Sequence, residues 1–200
     1  MDFNLDSILF LNKFDSIFIV IHSSRMEDII LYSRKLIGIK YTLWEGDHQS
    51  TYDNPHPFYI DYIPDLDYIK KYGINCAGLV NILRLKARGN VPGEGKWRGG
   101  TLSWYNHLKS VNALMNFNIN EDYPVGTLLL RNYRDIYEQG HLAVVYKKHK
   151  NVPGSYYSII HAFNSKSHSK VVISSIKDSH FIISEGFYEY AILPNNWLYK

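Results

Sequence analysis

The rhythm of apolar positions changes part-way along this 200-residue chain. Up to about residue 115, apolar residues recur three and four apart, the period of a helix face. From residue 124 onward they gather into short β-rich runs set off by turn residues. Ser24 and Glu27 have the spacing of a capping box, Ile29, Ile30, Leu36 and Ile37 follow, and Gly38 can end the turn, which predicts a helix over 25–37. Asn75 is a good N-cap for a second helix over 76–88. Leu79, Ile82, Leu83 and Ala87 form its stripe, Arg84, Lys86 and Arg88 suit the negative end of its dipole, and Gly89 ends it. Ser103 is a cap for a third helix over 104–115. Strands are expected at 124–131, 141–147, 156–163, 170–176, 180–184 and 188–193.

Helices first and strands afterwards predict an α+β fold, N-terminal helices packed on an antiparallel β-sheet. No linker or repeat divides the chain, so residues 1–200 read as a single domain, with 1–24 as an N-terminal extension. Segment 47–72 holds three prolines and many aromatics without a clean period and reads as a long, mostly irregular insertion. Residues 91–100, VPGEGKWRGG, read as a turn-rich loop. The first 21 residues are apolar, but Asp2 and Asp6 precede the run and Asn12, Lys13 and Asp15 interrupt it. That matches neither a signal peptide nor a transmembrane segment. The expected location is intracellular, or packaged in a particle.

Composition narrows the function. Hydrophobic residues are 46% and charged residues 20%, an ordinary globular balance that excludes a disordered chain. A net charge of +3 is too small and too dispersed for a dedicated nucleic-acid binder. The one short basic cluster, Lys147, Lys148, His149 and Lys150, reads as a solvated loop. A single cysteine excludes a disulfide framework and a cysteine-based zinc ribbon, and no histidine pair has metal-ligand spacing, so no metal or other cofactor is expected.

That cysteine, Cys76, falls at the first position of the second predicted helix. Unpaired N–H groups and the positive end of a helix favour a thiolate. The contribution is about 0.3–1 kcal/mol, or at most about one pKa unit, so a nearby imidazole is needed to activate the sulfur further. The plainer alternative is a small buried hydrophobe. His141 opens one predicted strand and His161 lies near the end of the next. If those strands pair antiparallel, both imidazoles lie near one end of the sheet. His141 can then meet Cys76 as general base while His161, or Asn164 three positions on, orients it. The other histidines, His22, His48, His56, His107, His149, His168 and His180, receive no role.

These segments resemble a known family. GINCAGLVNILR (73–84) resembles the nucleophile segment of NlpC-type cysteine peptidases, a papain-like group of cell-wall endopeptidases and amidases. GHLAVVY (140–146) resembles their base strand and IIHAF (159–163) the strand that carries the orienting residue. LIGIKYTLWEG (36–46) and PVGTLLL (124–130) resemble two further segments, in the family's order. The resemblance implies a papain-like fold and a cysteine hydrolase cleaving a peptide or amide substrate, peptidoglycan-like in its classical members. It implies Cys76 as nucleophile, His141 as base, His161 as orienting partner, and Tyr41 and Asn75 beside the oxyanion site or substrate cleft. Asn75 stands where the family has Asp, Ala77 where it has Ser, and Glu45 in place of one glycine of a Gly-Gly turn. Two other readings stand beside this one. A papain-like acyltransferase or isopeptidase would use the same thiol on an intracellular substrate, and a non-catalytic binding module would not use it at all.

Overall fold

The computed structural model describes residues 26–43, 58–59, 61–135, 137–148, 157–164, 169–176 and 187–199. The expected strand at 180–184, the extension 1–24, and residues 47–57 and 60 of the insertion lie outside the described residues. The described part is α+β. Its helices are α1 (residues 26–34), α2 (Leu66–Tyr72), α3 (Cys76–Lys86), α4 (Thr101–Ser110) and the short α5 (Pro194–Trp197). The strands are β1 (Met115–Asn116), β2 (Leu128–Arg131), β3 (His141–Lys148), β4 (Tyr157–Asn164), β5 (Ser169–Ser175) and β6 (Tyr190–Ile192). They form one sheet in the order β1-β6-β2-β3-β4-β5, each neighbouring pair antiparallel. None of the described helices is long and apolar enough to cross a membrane.

Several boundaries differ from expectation. The first helix ends at residue 34, and three successive tight turns follow, from the N–H groups of Lys35, Leu36 and Ile37 to the carbonyls three residues back. Gly38 N–H then leaves the helix for Val171 O on β5, a tertiary partner that local periodicity cannot reveal. Ser103 does not cap α4. Its hydroxyl bonds Trp97 O at 2.7 Å, and the helix starts three residues earlier than expected, at Thr101 after Gly100. Met115, expected at the end of that helix, pairs with Ala191 in β1 instead. Segment 47–72 is not irregular throughout. Asp65 caps α2 by accepting from Tyr68 N–H at 2.8 Å, but only Ile69 of that helix is buried, too little pattern to show through the flanking prolines. Residues 124–127 form the turn before β2 rather than part of it.

The sheet is buried on both faces. Leu128, Leu130, Leu142, Val144, Ile160, Ala162 and Val171 join one core with Leu79, Val80, Ile82 and Leu83 of α3 and Trp104 and Leu108 of α4. Leu129, Ala143, Val145, Tyr157 and Ile159, the alternate positions, face a second, aromatic-rich cluster with Tyr123 and Tyr188.

Candidate active site

Cys76 is the first residue of α3, and Asn75 Oδ1 accepts from Gly78 N–H at 2.7 Å to cap it. Asn75 lines the cleft and is buried with its amide oxygen committed to the cap. Two hydrogen bonds bring the Tyr41 segment against this tip. Ile74 N–H donates to Lys40 O at 3.0 Å and Thr42 N–H to Ile74 O at 3.2 Å. Gly73 makes the approach possible. Its φ is +86°, and a Cβ there would sit 2.8 Å from Lys40 O and closer still to the Thr42 hydroxyl. Tyr41 therefore lies at the cleft beside Cys76, and both burial and the charge of a Cys76 thiolate push its hydroxyl pKa up.

The sulfur is buried, with 7% of the residue exposed. Burial raises its pKa, outweighing the backbone N–H groups of Leu142, Ala77 and Cys76 itself, which pull the other way. This corrects the expectation of a thiol acidified at the helix tip: desolvation outweighs the helix N-terminus. The Leu142 contact locates the thiol. Leu142 directly follows His141, and the β3–β4 register begins only at Val144↔Ile160. The sulfur thus occupies the end of the sheet where the first residues of β3 run ahead of their pairing with β4.

His141 and His161 meet, but the expected contact of His141 with Cys76 is not made as a hydrogen bond, because the sulfur belongs to the core on the α3 face of the sheet. His141 Nε2 lies 2.9 Å from His161 Nδ1, a hydrogen bond between two buried rings. Asn164 is engaged elsewhere, with Ser169. Its Oδ1 accepts from Ser169 Oγ at 3.0 Å on the exposed end of the hairpin. Strand alternation puts both imidazoles on the aromatic face of the sheet, where Phe163, Phe187 and Tyr188 surround the His141 ring at centroid distances of 5.7, 5.7 and 6.1 Å. Tyr188 also feels a thiolate at Cys76, which, after burial, helps raise its pKa. Burial pushes the His161 pKa down to about 3. His141 lies well below its ordinary value through burial first, then the charges of His161 and Arg131. Both rings are neutral at neutral pH.

Three supports were not legible as site residues. Asn81, buried in α3, donates through Nδ2 to Phe58 O (2.8 Å) and Gly99 O (3.1 Å) and accepts from Trp104 Nε1 at 2.7 Å. It ties two cleft walls to the helix that carries Cys76. Gly140, with φ +75°, lets the loop before β3 pass close to β2, since a Cβ there would stand 2.5 Å from Arg131 O. Ser174 on β5 has its Oγ 3.0 Å from His161 Nε2. Only a diagonal across two strands joins it to the histidines, and no local motif announces that.

The cleft over Cys76 is narrow, with about 30 Å³ of free volume. Tyr41, Phe58, Trp97, Thr101, Tyr133 and Gln139 help to wall it. The loop that supplies Tyr133, Gln139 and Gly140 is braced by ion pairs of Glu138 with Arg131 and Arg134 and of Arg134 with Glu189. Among the described residues, no group of three or more His, Cys, Asp or Glu side chains is placed to hold a metal ion. No family model matches the chain, and no curated protein or solved structure matches it.

Proposed function

We propose that this chain is a papain-like cysteine hydrolase, similar to the NlpC-type peptidases, that cleaves an amide bond through a thioester on Cys76. The observation that carries the reading is the buried 2.9 Å contact between His141 Nε2 and His161 Nδ1, at the start of a strand whose next residue, Leu142, turns its N–H toward the Cys76 sulfur. With Nε2 engaged by His161, the nitrogen of His141 left to take the Cys76 proton is Nδ1. His161 orients the ring and steadies the imidazolium that forms on proton transfer.

Because burial keeps the thiol protonated and the imidazole neutral, the resting pair is thiol and imidazole rather than a preformed ion pair. His141 takes the proton as the sulfur attacks the carbonyl. It returns that proton to the leaving amine, and water then releases the acid from the thioester. N–H groups at the start of α3 are the natural donors to the oxyanion, with the Tyr41 hydroxyl as a second candidate. The aromatic walls favour a slender substrate segment at the scissile bond.

p-Nitrophenyl acetate is a suitable probe. The wild-type chain should gain the mass of one acetyl group at Cys76, and Cys76→Ala should gain none. His141→Ala should acylate about 10²-fold to 10⁴-fold more slowly. Acylation at an undiminished rate in His141→Ala would refute the reading. Supplying an amine acceptor and asking whether acid or acylated amine accumulates separates hydrolase from transferase.

A further inference from the structure

We propose that Ser174 is a positioning residue of the Cys76 site, the outer hydrogen-bond acceptor that fixes which nitrogens of His161 and His141 carry protons. This rests on the hydrolase reading and extends it by one residue. The β4–β5 register pairs His161 with Val172 and Ile159 with Ser174. Ser174 therefore stands diagonally across from His161 on the same face of the sheet, within reach of a long side chain. The contact is made: Ser174 Oγ lies 3.0 Å from His161 Nε2, and His161 Nδ1 lies 2.9 Å from His141 Nε2.

A neutral imidazole carries one N–H, so a row of two imidazoles ending on a hydroxyl has two orders of protons. In one, His161 Nε2–H donates to Ser174 Oγ, His141 Nε2–H donates to His161 Nδ1, and His141 Nδ1 presents a lone pair. In the other, the serine hydroxyl donates to His161 Nε2 and both rings carry their protons on Nδ1. His141 Nδ1 would then hold a hydrogen and could not accept one from Cys76. Only the first order leaves His141 Nδ1 able to take the Cys76 proton, so the hydrolase reading assigns Ser174 the acceptor role. The low pKa values of both rings keep them in the neutral state in which this order matters. The serine is uncharged, so it holds the order without the stronger pull a carboxylate would exert.

The test is nitrogen-15 NMR of the imidazoles in the full chain near neutral pH, with the acylation rate by p-nitrophenyl acetate as companion. In the wild type, both histidines should show a protonated Nε2 and an unprotonated Nδ1. Ser174→Ala should mix the two tautomers at His161 and slow acylation about fivefold, the loss of one neutral hydrogen bond, while Ser174→Thr should restore both to within about twofold. A wild-type His161 protonated at Nδ1 would overturn the proposal, and that arm needs no variant. So would a Ser174→Ala chain with tautomers and rate unchanged. The expected tautomers combined with acylation indifferent to His141→Ala would leave the proton order standing and remove the hydrolase reading instead.

Discussion

His141 and His161 are 20 positions apart in sequence and share one buried hydrogen bond, Nε2 to Nδ1, at 2.9 Å. Replacing His161 leaves the Nε2 of His141 without its partner in a buried, aromatic setting. His161→Ala should destabilise the fold by about 1–3 kcal/mol and slow acylation of Cys76 strongly. His161→Asn, whose amide oxygen can accept from His141, should retain more of both. Urea titration and acylation kinetics on the two variants check this.

The same pair predicts an acid-side loss of stability. Both rings have lower pKa values folded than the ordinary 6.5, so the folded chain binds fewer protons than the unfolded one below that value. The contribution is fully present above about 6.5 and is lost progressively as pH falls, for His161 down to about 3. The urea midpoint should drop between neutral pH and about pH 4, and the drop should be smaller in His161→Gln, which has one buried imidazole fewer to protonate.

Cys76 should behave as a buried thiol in the absence of substrate. Its pKa is raised by burial, so alkylation by iodoacetamide should be slow at neutral pH and should climb with alkalinity beyond the range of an ordinary cysteine. A rate already on a plateau at neutral pH would mean a preformed thiolate and a different resting state.

Asn81 holds three buried groups at once. Asn81→Leu leaves Phe58 O, Gly99 O and Trp104 Nε1 without that partner and should cost about 2–4 kcal/mol by chemical denaturation. Since Phe58 and Trp97 wall the cleft, acylation should also weaken in whatever fraction remains folded.

Gly140 directly precedes His141. A methyl group there meets backbone atoms of Arg131 and Asn132 at 2.5–2.8 Å, and the φ of +75° is itself unfavourable for alanine. Gly140→Ala should lower stability by about 1–3 kcal/mol and slow acylation of Cys76 further than that loss explains, because His141 moves with the loop. Comparing rates at equal folded fraction reads the second effect.

Much of the frame was legible along the chain. Asn75 and the stripe behind it placed α3 and put Cys76 at its tip, because a cap and a 3.6-residue period are local properties. The runs around His141 and His161 showed β3 and β4 for the same reason, and antiparallel pairing then brought the rings to one end. Helix ends were less legible where the deciding bond is tertiary, as with Gly38 N–H on Val171 O or Ser103 on Trp97 O. Segment 47–72 hid α2 because a seven-residue helix with one buried side chain has almost no period to read.

Sequence by itself determined the α+β order, the helix that carries Cys76 and the two strands that carry the histidines, since each follows from spacing within a few residues. Only the tertiary structure decided that His161 rather than Asn164 meets His141, that Ser174 stands behind them, and that burial raises the thiol pKa where the helix tip alone would lower it. Those outcomes depend on strand register and on how much water the packed chain excludes, and neither quantity is a property of any local stretch of residues.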